Sequence, residues 1–81
     1  MEAVKNEADF QKQLERIGRQ LAELRKEKGY PSHETFAYDH DLSRVQYWRI
    51  EKGRTNLTLK GLMRLLRIHG LTLKEFFTNL P

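Results

Sequence analysis

The sequence predicts an all-α fold, five short helices packed as one compact globule. Three observations carry this. Apolar residues recur at helical spacing, helix start and stop signals divide the chain at short intervals, and no segment alternates polar and apolar residues long enough to form a half-buried strand.

Residues 1–8 have no periodic pattern and are expected to be a flexible lead to a single domain over 9–81. From there Phe10, Leu14, Ile17, Leu21 and Leu24 step by four, three, four and three residues, an apolar stripe along one helix face. The stripe spans too few heptads to argue for a coiled coil, and core packing is the expected use. Asp9 is placed to cap the helix, and Gly29 before Tyr30-Pro31 stops it. Gly18, mid-helix, costs about 1 kcal/mol relative to Ala, so a close approach by another element is expected there.

Ser32 opens a second helix, with Phe36 and Ala37 inward and His40-Asp41 closing it. Ser43 with Gln46 has the spacing of a capping box for the third helix, and Gly53 supplies its left-handed stop. Thr58 opens the fourth, stapled by Leu57 and Leu62, and Gly70 ends it. Thr72 and Glu75 form the capping box of the fifth, stapled by Leu71 and Phe76, which is expected to run to about residue 79.

Composition excludes several classes of function. The 81 residues include no cysteine, so disulfides and Cys-ligated zinc sites are ruled out. A chain this short buries only about 60–65% of its unfolded surface, which leaves little room for a large substrate cavity or an inducer-binding domain. No apolar run approaches the roughly 18–20 residues of a membrane span, and the first seven residues are too polar for a signal peptide. His33 and His40 would lie about 10.5 Å apart along a helix axis, too far to share a metal. His69 ends the fourth helix, where a dipole interaction is favoured over a ligand role. There is no HExxH, phosphate loop or nucleophile elbow. No cofactor, metal or catalytic residue is expected.

The charge is uneven. Fifteen Lys and Arg against eleven Asp and Glu give a formal +4, but residues 43–67 carry +6 and residues 32–42 carry −3. A basic cluster of this kind is either a solvated surface or the footprint of a phosphate-backbone partner. The third helix narrows the choice. With 100° per residue and Arg44 at 0°, Tyr47 and Ile50 fall at about 300° and 240°, the buried side. Arg44, Trp48, Val45 and Arg49 fall at about 0°, 40°, 100° and 140°, the outward side. Arg matches guanine O6 and N7, and Val suits a thymine methyl. Trp48 there is either a contact on the nucleic-acid side or a lid over a neighbouring helix.

The ordered motifs resemble the Cro/CI-type helix-turn-helix domain, the lambda repressor-like or XRE family. They are Ile17-Gly18-Arg19-Gln20-Leu21 with Leu24-Arg25, Glu34-Thr-Phe-Ala37, Leu42-Ser43-Arg44, Ile50-Glu51-Lys52-Gly53-Arg54-Thr55-Asn56 and Leu71-Thr-Leu-Lys-Glu-Phe-Phe77, together spanning about residues 14–77. The resemblance implies a helix-turn-helix at about 33–51 with residues 44–51 in the DNA major groove. The family's base-reading positions match Arg44, Val45 and Arg49, with Gln46 at the margin. Its phosphate contacts match His33, Ser43, Lys52, Arg54, Thr55 and Asn56, with Trp48 beside them on the backbone side. Glu51 matches the family residue that pairs with an arginine of the first helix, here Arg25.

Some positions depart from the family pattern. The loop before the second helix is one residue longer through Tyr30-Pro31, and His33 replaces the usual Gln. Asp41 replaces a turn glycine, which Asp tolerates because it enters the left-handed region more readily than most residues. Tyr47 replaces an aliphatic residue, and its hydroxyl needs a partner. His69 replaces Leu.

The expectation is a cytoplasmic, bacterial or phage, sequence-specific regulator of transcription. It would bind double-stranded DNA as a homodimer, with Phe76, Phe77 and Leu80 as a candidate seam. Two alternatives share the fold: an antitoxin with a toxin as protein partner, and an interaction module that has lost DNA binding. The acidic second helix is the best support for the latter.

Overall fold

Residues 7–81 are described in the computed structural model, and all regular structure among them is helical. The order is α1 (Glu7–Glu27), α2 (His33–Asp39), α3 (Arg44–Glu51), α4 (Leu59–His69) and α5 (Leu73–Thr78). The predicted lead lies mostly outside the described residues. Its last two positions, Glu7 and Ala8, are already helical, so Asp9 sits within the first turn rather than at the cap. Glu7 and Asp9 both place carboxylates in that turn, where the helix dipole favours them.

The later helices begin where the cap signals place them. Ser32, Ser43, Thr58 and Thr72 each accept a hydrogen bond from the backbone N–H three residues on. At Thr72 the box closes both ways, because Glu75 also accepts from the Thr72 N–H. At Ser43 only one arm forms: Gln46 donates its backbone N–H, while its side chain makes no hydrogen bond among the described residues and stays exposed. A carboxylate makes a stronger return acceptor than an amide. Asp41 adopts φ 58°, the left-handed conformation expected of the turn.

All five helices contribute to one core: Leu21, Phe36, Ala37, Tyr47, Leu62, Leu65, Leu66 and Phe76. Ile17, Leu24, Leu57 and Leu71 pack on its edge, so the α1 stripe and both staples serve packing within the chain. Phe10 remains 36% exposed, and burial of the stripe begins at Leu14.

Phe36 is the hub of an aromatic cluster. Tyr30 meets it edge-on at 5.2 Å, Tyr47 lies at 5.0 Å, His40 at 4.6 Å, and His69 stacks nearly parallel at 5.5 Å. His69, at the end of α4 where the sequence favours a dipole interaction, thus also has a packing role. Burial, with Lys28 and His40 nearby, lowers its pKa, so the neutral ring is the stacked form. The unfolded chain therefore takes up protons first as pH falls through about 6.5, and stability declines over that window. Melting temperature is expected to fall between about pH 7.5 and about pH 5.5, and His69→Leu should flatten that slope. Parallel slopes for the two proteins would refute the assignment.

Candidate nucleic-acid interface

The interface begins with how α3 is held. Its inner face carries Tyr47, 2% exposed, and the half-buried Ile50. At its end Glu51, 7% exposed, receives a two-pronged contact from Arg25 of α1, 6% exposed. Arg25 Nε donates to Glu51 Oε2 at 2.7 Å and Nη2 donates to Oε1 at 3.1 Å. Its Nη1 donates to the Tyr30 carbonyl at 2.8 Å, so the same guanidinium ties α1 to α3 and to the loop before α2. The Glu51 carboxylate raises the Arg25 pKa against the opposing pull of burial.

The Tyr47 hydroxyl is buried beside this pair, outside ideal hydrogen-bond geometry to either member. Its pKa is raised, first by burial and then by Glu51. The Glu51 carboxylate is the acceptor nearest to hand for it, and it acts on the hydroxyl strongly enough to raise its pKa.

The outer face is open to solvent. Arg44, Val45, Gln46 and Arg49 are exposed, Val45 to 50%. Trp48 is half-buried, with the Arg54 guanidinium over its ring at 5.3 Å from the centroid. The ring is thus covered within the chain by Arg54 of the following loop. His33 joins Arg44, Val45 and Trp48 in lining a shallow notch of about 260 Å³.

The loop after α3 presents Lys52, Arg54 and Asn56 to solvent, with Thr55 half-buried. Gly53 takes φ 68° and lies against Glu15 of α1 so closely that a Cβ would come within 2.8 Å of its side chain. Gln11 Nε2 donates to the Gly53 carbonyl at 2.7 Å. The first half of α1 thus fixes the loop that carries the predicted phosphate contacts. The isolated sequence offers no signal for the Gln11 bond, because it spans 42 positions.

The acids of α2 and its turn are exposed but differ in their partners. Glu34 Oε2 accepts from Arg44 Nη1 at 3.3 Å, and Asp39 accepts from the Tyr30 hydroxyl at 2.8 Å. Asp41 lies in the turn, where its carbonyl accepts from Arg64 Nη2 at 3.3 Å. Of the three acids, Glu34 is the one held against a cation on the outer face of α3, while Asp39 and Asp41 keep their charges. Among the described residues no cluster of His, Cys, Asp or Glu could hold a metal, and no helix is long and apolar enough to cross a membrane.

No family model matches the chain. It is similar to the control protein C.MunI of Mycoplasma sp, at 42% identity over 65 residues, covering 80% of this chain and 88% of that protein. The chain belongs to the controller-protein family. The fold agrees with this. The crystal structure of the restriction-modification controller protein C.AhdI from Aeromonas hydrophila superposes with a TM-score of 0.70 at 32% identity, covering 82% of this chain and 98% of that one. Controller proteins are Cro/CI-type helix-turn-helix regulators of the XRE family, so this controller protein is a DNA-binding regulator of transcription. Neither comparison favours an antitoxin.

Proposed function

We propose that this controller protein reads a specific duplex with α3 in the major groove, as a homodimer in the cytoplasm, and regulates genes of a restriction-modification system. The observation that carries the reading is the outer face of α3, where Arg44, Val45, Gln46 and Arg49 stand exposed on a helix whose other side is locked to α1. Arg44, Val45 and Arg49 contact base edges, with Gln46 at their margin. His33, Ser43, Trp48, Lys52, Arg54, Thr55 and Asn56 contact the backbone, within a single domain over 9–81. The restriction-modification role rests on the similarity to C.AhdI.

An eight-residue helix reaches few base pairs, so two copies on half-sites roughly one DNA turn apart are needed for a selective site. Phe77 of α5, 46% exposed, remains available for the seam, whereas Phe76 is 1% exposed and is used in the core.

Selection of duplexes from a random-sequence pool is expected to return a near-palindrome. On that site Arg49→Ala should cost about 1–3 kcal/mol and relax preference at one base pair of each half-site. Arg54→Ala should weaken binding to every duplex and reduce the salt slope by about one counterion per copy. If both variants weaken selected and random duplexes by the same factor, the division between base and backbone contacts is wrong.

A further inference from the structure

Glu34 and Arg44 stand ten positions apart, on either side of the helix-turn-helix turn, with 3.3 Å between Oε2 and Nη1. Their side chains are 56% and 63% exposed, and an ion pair so open to water adds little to stability. Its geometry is nevertheless specific. The bond uses an in-plane N–H of Nη1, and among the described residues the Nε–Nη2 edge has no hydrogen-bond partner. That edge is the two-donor fork that fits guanine O6 and N7.

Glu34 itself is held by a short, well-anchored helix. Ser32 Oγ accepts from the Thr35 N–H at 3.2 Å, and Phe36 and Ala37 are completely buried immediately after. A carboxylate unpaired at this position would repel the phosphates that pass the start of α2. Paired with Arg44, its charge is partly offset.

We propose that Glu34 is a positioning residue for base recognition, holding Arg44 with its free edge toward a guanine. This rests on the assignment of Arg44 as a base reader. Without the carboxylate, Arg44 would search its rotamers on binding and would be free to turn to a phosphate, which carries no sequence information.

The test uses the full chain and duplexes selected from a random pool, with each guanine replaced in turn by 7-deazaguanine, which lacks the N7 acceptor. The guanine read by Arg44 is the one whose replacement no longer matters in Arg44→Ala. At that position Glu34→Gln is expected to reduce the preference for guanine over 7-deazaguanine roughly three- to tenfold. Binding to random duplex should be unchanged or slightly tighter, and the melting temperature unmoved. In an Arg44→Ala background, Glu34→Gln should alter base preference no further. The inference fails if Glu34→Gln keeps the wild-type preference while Arg44→Ala loses it, or if Glu34→Gln tightens all duplexes equally with preference intact, as simple repulsion would give. An Arg44→Ala protein that retains every guanine preference overturns the base-reading assignment and this inference together.

Discussion

Gly18→Ala is expected to lower stability by about 2–4 kcal/mol, although alanine is the better helix former by about 1 kcal/mol. A Cβ at position 18 would be driven against the Glu51 carbonyl oxygen, with the Ile50 carbonyl oxygen at 2.6 Å and the Glu51 carbonyl carbon at 2.7 Å. All three are backbone atoms at the C-terminal end of α3, so no side chain can rotate out of the way. The two helices must separate, and that strains the Arg25–Glu51 contact beside the crossing. A domain of 81 residues has about 4–12 kcal/mol of total stability, so the loss is a large share of it. At about 4–8 °C per kcal/mol, the melting temperature should drop by roughly 10–30 °C. Thermal unfolding followed by circular dichroism checks this, and a midpoint equal to or above wild type would mean that helix propensity outweighs the clash. Loss of DNA binding should accompany the loss of stability, because α3 is displaced from the frame that presents its outer face.

Gly18 shows what kind of information the sequence holds. A glycine in an otherwise good helix implies a close neighbour, and the structure identifies it as the end of α3. The caps at Ser32, Ser43, Thr58 and Thr72 were legible for a similar reason: each is a local bargain between a side chain and the N–H three residues on, so spacing alone specifies it. The inward and outward faces of α3 follow from helical periodicity in the same way.

What the sequence concealed depends on distance through space. Glu34 and Arg44 meet because a left-handed turn at Asp41 folds α3 back across α2. Charge summed along segments made α2 an isolated acidic element, and only the fold shows that its first acid belongs to the basic face. The packing role of His69 is hidden for a related reason. Its position at a helix end points to the dipole, and the ring of Phe36 stacked on it comes from another helix.

The contact between α1 and α3 also predicts the second large effect. Glu51→Gln is expected to cost about 3–5 kcal/mol, because it keeps the shape of the side chain and leaves the buried Arg25 charge uncompensated. An amide nitrogen would also face Arg25 donors now satisfied at 2.7 and 3.1 Å. The paired replacement Arg25→Met with Glu51→Met should recover most of that loss, since exchanging a buried ion pair for apolar groups is often neutral or stabilising by about 1–4 kcal/mol. Recovery should be incomplete, because the Tyr30 carbonyl loses its Arg25 donor, a deficit of about 1–3 kcal/mol if water does not replace it. Urea unfolding of the single and double variants measures both steps, and a Glu51→Gln protein as stable as wild type would refute the cost of the orphaned charge. DNA binding by the double variant then separates two roles for the pair. A protein that regains stability without regaining selectivity would show that the fork sets the angle at which α1 presents α3. If both return, packing at Gly18 sets that angle unaided and the pair is needed only so that neither charge is buried alone.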